Sequence, residues 1–425
     1  EEHGTPLKIS YLPKISHQIK RAKNYFERAF LVNDYKGKYY YSYCTKSSHF
    51  AFVIREALKN DIHIETSSTF DIDIIQKMHH EGLFPKDRYV ICNGYKMPQY
   101  IDKIAELINA DFKNVVPIFD NLNEVDLLSE KLAKSAHCGI RIASEEEPKF
   151  EFYTSRLGIG FNDVIPLYKA KLKNNKKLKL KMLHFFINTG IKDSSYYWSE
   201  LLKVVKAYCE LKKICPSLNT LNIGGGLPIK NSLSFDYNYE YIIEEIVRQI
   251  KMYCNKEGVQ EPDIFTEFGS YTVGESGALL LKIVDQKKQN DREKWNMIDS
   301  SFMTNLPDAW ALSQKFVLLA VNNWFQEYER VLLGGLTCDS DDYYNSEAHS
   351  NAIYLPKFNQ RKAQYIGFFH TGAYQESIGG FGGVHHCLIP QPKHLILTRD
   401  EAGNLCQEVF SEEQTADSMI KLLGY

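Results

Sequence analysis

From residue 38 onward, short runs rich in β-branched and aromatic residues alternate with longer amphipathic stretches, and the alternation is completed eight times before the pattern changes. Few architectures accommodate this. Strand-like runs at 38–44, 62–68, 89–94, 115–121, 138–144, 180–188, 220–226 and 264–270 are separated by segments such as 48–60, 99–110, 198–213 and 239–253, where apolar positions recur three and four apart. Parallel strands need crossover connections of this kind, and eight units over about 230 residues match the number that closes a TIM-type (β/α)8 barrel. An open doubly wound sheet is the competing α/β arrangement.

After residue 270 the texture turns mainly β, with strand-like runs at 278–285, 328–337, 352–356, 365–369 and 394–398. A further short strand at 6–11 precedes a helix from about 16 to 30, which Ser16 is placed to cap. The expected division is an N-terminal strand and helix (1–30), a barrel (31–270) and a C-terminal β domain (271–425) that also takes the N-terminal strand. Charge excludes a general attraction for nucleic acid or anionic membrane, since Lys+Arg 51 stand against Asp+Glu 53. No run approaches the roughly 18 uncharged apolar residues of a spanning helix. The 9 Cys show no CxxC spacing, which favours reduced thiols over a disulfide framework and leads to the expectation of a soluble, cytoplasmic protein. Glu1 stands where a start Met would be, so a leader or further residues before it stay open. His385, His386 and Cys387 are adjacent, a spacing that does not set three ligands around one ion, and no metal is expected there. The basic run 169–181 reads as a solvated helix-loop face.

In a barrel of this type the C-terminal strand ends carry the chemistry. They hold Lys46 after the first strand, Glu65 after the second, Asn93 after the third, Arg141 near the fifth, His184 and Phe186 on the sixth, Gly224-Gly225-Gly226 after the seventh and Glu267 on the eighth. Three glycines let backbone N–H groups approach an anion, and they suit a tight turn equally well. Lys46, on an otherwise apolar and aromatic strand, either snorkels to the surface or meets a ligand within. A mouth lysine, a phosphate loop and a carboxylate are together what pyridoxal 5′-phosphate requires: an amine for the Schiff base, an anchor for the phosphate, and an acid facing the ring nitrogen.

These residues resemble the decarboxylases of basic amino acids that share the alanine racemase fold. YCTKSS at 43–48 resembles their cofactor-lysine motif, LNIGGGLP at 221–228 their phosphate loop, and TEFG at 266–269 the segment with the acidic partner of the ring nitrogen. LTCDSDD at 336–342 is similar to the Cys-Asp loop that enters the site from a partner subunit, and GAYQE at 372–376 to the segment whose tyrosine contacts the cofactor. ICNGYK at 91–96, LPDAW at 306–310 and GAYQE look most like biosynthetic arginine decarboxylases.

The resemblance implies catalytic roles for Lys46, Glu267 and Cys338, the last as the acid that returns a proton to Cα. It implies cofactor contacts from Glu65, His184, Phe186, Gly224, Gly225, Gly226, Ser270 and Tyr374. For the distal group of the substrate it implies Asp339 first, with Asp308, Asp341 and Asp342 as weaker candidates, and it implies a homodimer with shared sites. Arginine is the favoured substrate, ahead of lysine, ornithine and diaminopimelate; racemization and an inactive cofactor carrier are the rival readings. Two departures stand out: Phe186 replaces the histidine that stacks on the cofactor ring, and Ser270 replaces an arginine that touches phosphate. Phenylalanine stacks but carries no proton, and serine bonds but carries no charge.

Overall fold

In the computed structural model, which describes residues 2–145 and 151–425, a short strand β1 (Leu7–Tyr11) leads into the helix Pro13–Val32. The barrel follows. Its strands are β2 (Tyr39–Cys44), β3 (His63–Thr66), β4 (Tyr89–Cys92), β5 (Asn114–Phe119), β6 (Ala136–Ile142), β7 (Leu178–Phe185), β8 (Thr220–Asn222) and β9 (Asp263–Phe268), all parallel and closed in that order. Closure rests on β2 against β9, where Tyr39 pairs with Ile264 and Ser42 with Glu267, which excludes the open doubly wound sheet. Ile91, Val116, Ile118, Met182 and Phe265 form a separate, fully buried apolar cluster contributed by these strands, the packed interior of the barrel. Polar side chains at the C-terminal strand ends therefore sit above a dry floor.

The helix Pro13–Val32 starts on proline, whose fixed φ suits the first helical position. Ser16 therefore lies inside the first turn and caps nothing; its hydroxyl donates to Glu56 instead. Ile15, Ile19, Ala22, Phe26 and Ala29, three and four apart, are the buried stripe, and Phe26 stacks on Tyr39 with ring centroids 4.0 Å apart. Burying one such ring is worth about 2–3 kcal/mol, so the helix is held to the barrel by its apolar face. The basic run is not one solvated face. It divides between a π-helical turn, Tyr168–Leu172, and the start of β7, with Leu172, Leu178 and Leu180 buried between the lysines.

The second half contributes β10 (Gly277–Lys288), β11 (Lys294–Ile298), β12 (Val317–Ala320), β13 (Tyr328–Gly334), β14 (Tyr343–Tyr344), β15 (Ile353–Pro356), β16 (Gln364–Phe369), β17 (Lys393–Arg399) and β18 (Leu405–Ser411). With β1 they make a 10-stranded sheet in which β1 lies between β10, antiparallel, and β17, parallel. The N-terminal strand thus belongs to the β half. Its core, including Leu281, Ile298, Phe302, Leu333 and Phe368, is separate from the barrel's. No helix among the described residues is long and apolar enough to cross a membrane.

Candidate active site

Lys46 stands on a single 3-10 turn, Thr45–Ser47, directly after β2. The turn is tied on three sides: Thr45 Oγ1 donates to the Glu65 carbonyl at 3.2 Å, Ser47 Oγ to the Cys44 carbonyl at 2.8 Å, and the Tyr374 N–H to the Ser47 carbonyl at 2.8 Å. Cys44, Thr45 and Ser47 are buried while the Lys46 side chain is exposed into a cavity of about 540 Å³ at the barrel mouth. The Glu65 carboxylate raises the Lys46 pKa well above its ordinary value, against the opposing effect of burial. Lys46 is thus held as an ammonium.

Glu267 lies on the cavity wall with 5% of its surface exposed, and both of its oxygens are met. Asn93 Nδ2 donates to Oε1 at 2.9 Å and to Oε2 at 3.0 Å, Asn222 Nδ2 donates to Oε1 at 2.6 Å, and His184 Nε2 is 3.2 Å from Oε2. Burial alone would raise this acid; His184, Lys46 and Asn93 overcome it and hold Glu267 at about 2. Glu65, 0% exposed, shares Asn93 as a donor at 3.0 Å, and its Oε2 has no hydrogen-bond partner. Burial pushes Glu65 upward and Glu267 adds to the push, against the pull of Lys46. Asn93 and Asn222 thus emerge as site residues for which the sequence alone assigned no role.

The turn after β8 brings Gly224 and Gly226 into positive φ, 69° and 96°. A Cβ on Gly225 would stand 2.2 Å from the Glu267 carbonyl, so the glycines are required by packing as well as by conformation. Asn222 Oδ1 accepts the Gly224 N–H at 3.0 Å, which couples this turn to the Glu267 cluster. Gly225 and Gly226 line the cavity, and among the described residues neither N–H has an acceptor in the chain. Ser270 and Tyr374 line it too. Phe186 turns its ring toward Lys46 Nζ at 6.0 Å and toward the Arg141 guanidinium at 5.9 Å. An amine, an ionised acid, an aromatic face and free backbone donors therefore surround one space.

The pyridoxal-binding domain of the pyridoxal-dependent decarboxylases matches residues 13–274. The chain belongs to this family. Arginine decarboxylase 2 of Arabidopsis thaliana is 22% identical over 96% of this chain and 73% of its own length. Among solved structures, the biosynthetic arginine decarboxylase of Campylobacter jejuni matches with a TM-score of 0.83 at 19% identity, covering 100% of this chain and 84% of that one. The diaminopimelate decarboxylase of M. jannaschii matches at 0.79 and 19%, covering 99% and 92%. The chain is a pyridoxal phosphate-dependent carboxy-lyase, and the mouth of its barrel fits that cofactor: Lys46, Glu267 and the unclaimed amides of Gly225 and Gly226 supply the donor and acceptor set it needs.

For this pyridoxal-dependent decarboxylase the structure divides the remaining candidates. Asp308, from the helix Pro307–Leu312, lines the Lys46 cavity. Cys338 and Asp339 do not. Cys338 is exposed with its Sγ 3.6 Å from Cys387 Sγ, and Asp339 Oδ2 is 3.7 Å from His386 Nε2. Asp342 is excluded as a ligand by its own bonds: Oδ1 accepts the Phe302 N–H at 2.8 Å and Oδ2 the Thr337 hydroxyl at 2.8 Å. It holds the turn's shape.

Proposed function

We propose that the chain decarboxylates a basic L-amino acid, L-arginine before lysine, ornithine or diaminopimelate, and that two copies complete each other's sites. Asp308 carries the substrate reading. Its side chain is on the cavity wall, the residue is 4% exposed, and among the described residues its side chain bonds only the neutral amide of Gln375. A buried carboxylate without a cation is costly, and the distal guanidinium of arginine supplies one with planar, paired donors. The relatives matched over nearly the whole chain carry the name arginine decarboxylase, which supports the same reading.

Pyridoxal phosphate, when bound, supplies an electron sink for the pair left behind as carbon dioxide departs. The chain's own residues do the rest. Lys46 Nζ would hold the cofactor by its aldehyde carbon and give it up to the substrate amine. Glu267, kept ionised by Asn93, Asn222 and His184, would face the ring nitrogen and favour its protonated form. Phe186 offers a face for stacking, and the Gly225 and Gly226 amides with Ser270 and Tyr374 take the phosphate. Cys338 Sγ, exposed and away from its own chain's cavity, serves the neighbouring copy by returning a proton to Cα, and Asp339 enters beside it.

The test supplies pyridoxal phosphate with L-arginine, L-lysine, L-ornithine or meso-diaminopimelate and quantifies carbon dioxide and amine. Agmatine from arginine is the expected product. Cadaverine, putrescine or lysine as the main product would replace the substrate, and no carbon dioxide from any of them would overturn the proposal.

A further inference from the structure

Gln375 is 1% exposed and is held by three hydrogen bonds at the start of the segment that follows β16. Its Nε2 donates to Asp308 Oδ2 at 2.8 Å and to the Ala373 carbonyl at 2.9 Å, and its Oε1 accepts the Asp308 N–H at 3.3 Å. One amide therefore grips both the backbone and the carboxylate of residue 308. Oδ1 of Asp308 has no hydrogen bond among the described residues, and the residue faces the cavity with Leu312 and Ile378 beside it.

We infer that Gln375 is a positioning residue for substrate specificity, fixing the plane of the Asp308 carboxylate so that it is set for the two parallel N–H donors of a guanidinium. This rests on the reading of Asp308 as the site of the substrate's distal cation. The grip explains why the plane matters. A carboxylate free to rotate serves a spherical ammonium as well as a planar fork, whereas one locked at Oδ2 and at its own backbone favours the fork. Each carboxylate oxygen has two lone-pair sites, so Oδ2 can serve Gln375 and a substrate N–H together. The arrangement also joins two stretches of sequence, LPDAW and GAYQE, into one physical unit, although 67 positions separate Asp308 from Gln375. Leu312 and Ile378 give the aliphatic chain of the substrate an apolar surface to lie on.

The experiment is a double-mutant cycle on the holoenzyme with Asp308→Asn, Gln375→Met and both together, reading KM and kcat for arginine and lysine. Gln375→Met keeps length and burial and removes all three bonds, so KM for arginine is expected to rise about tenfold with kcat within about twofold, and KM for lysine to change less than threefold. The double variant is expected to be no worse than Asp308→Asn, because Gln375 acts through Asp308. The dissociation constant of agmatine by calorimetry should follow the arginine KM, and the visible absorption of bound pyridoxal phosphate should not change. If Gln375→Met fails to fold, Gln375→Asn, too short to reach Asp308, takes its place. An unchanged arginine KM, or additive effects in the cycle, overturns the inference while leaving arginine decarboxylation standing. A wild-type enzyme that does not turn over arginine removes the substrate reading itself, and the inference with it.

Discussion

Glu267 and Asp339 are both acids close to a strand end, yet one is buried among donors and the other is half-buried at the surface. Glu267 is met by Asn93, Asn222 and His184 within 3.2 Å, whereas Asp339 accepts the N–H of Asp341 within its own turn at 2.9 Å and lies 3.7 Å from His386, and its neighbour Cys338 lies 3.6 Å from Cys387. The barrel mouth has its charges assigned once the chain has folded. The 336–342 turn is equally well shaped, since Asp342 anchors it, but its reactive side chains point to nothing that would use them in their own copy. A difference of this kind separates a site built to hold a cofactor from groups that, on the shared-site proposal, are offered to a second copy.

The largest effect that would break the contrast belongs to the barrel. Lys46→Ala should remove the visible absorption of lysine-bound cofactor and lower carbon dioxide release by on the order of 10³-fold, measured on protein reconstituted with pyridoxal phosphate. Cys338→Ala should leave that absorption intact and lower kcat by about 10²-fold, the usual scale for a lost proton donor. Mixing the two inactive variants under exchange sharpens the point. If sites are shared, hybrid dimers have one complete site and the mixture regains about a quarter of wild-type activity; if each copy is self-sufficient, it regains none.

Within the turn, Asp342→Ala should cost about 2–3 kcal/mol in urea unfolding because several buried N–H and O–H donors lose their acceptor, while Asp339→Ala should stay within about 0.5 kcal/mol. Equal losses would erase the distinction between anchor and presented group. Asn222→Leu comes last, with an expected fall in kcat of about tenfold. Glu267 sits at about 2, below its ordinary value, so its ionised contacts stabilise the fold above the ordinary carboxylate range and that contribution is lost as pH falls through about 2. Removing the Asn222 donor raises the folded-state pKa, so acid unfolding should begin at higher pH, which a pH series of thermal melts would detect.

Much of this was legible in the sequence, for identifiable reasons. A lone lysine at the end of YYYSYC and three glycines after a buried run are local signals, and the eight-fold alternation fixes which ends of the strands face the same way. Asn93 and Asn222 are different. They reach Glu267 from 174 and 45 positions away, and an asparagine at a strand end gives no indication of which acid it will meet. Asp339 and Asp342 lie three residues apart with the same side chain, and only the fold decides that one accepts the Phe302 N–H while the other faces outward. Among the strands, β18 escaped recognition because its residues are exposed on both faces and so lack an apolar alternation, and β12 because its four residues, VLLA, are too few to show a period.

The position of β1 has a consequence in time. It precedes the whole barrel in the chain, yet its neighbours are β10 and β17, the latter ending at Arg399. As the chain leaves the ribosome, the barrel can close once Phe268 has emerged, with the helix Pro13–Val32 docked on its outside and β1 held at the surface with both edges open. Assembly order is therefore set by strands that follow the barrel. Translation stalled near residue 380 should yield a closed barrel whose first strand is still cut by protease, and release beyond Arg399 should protect it.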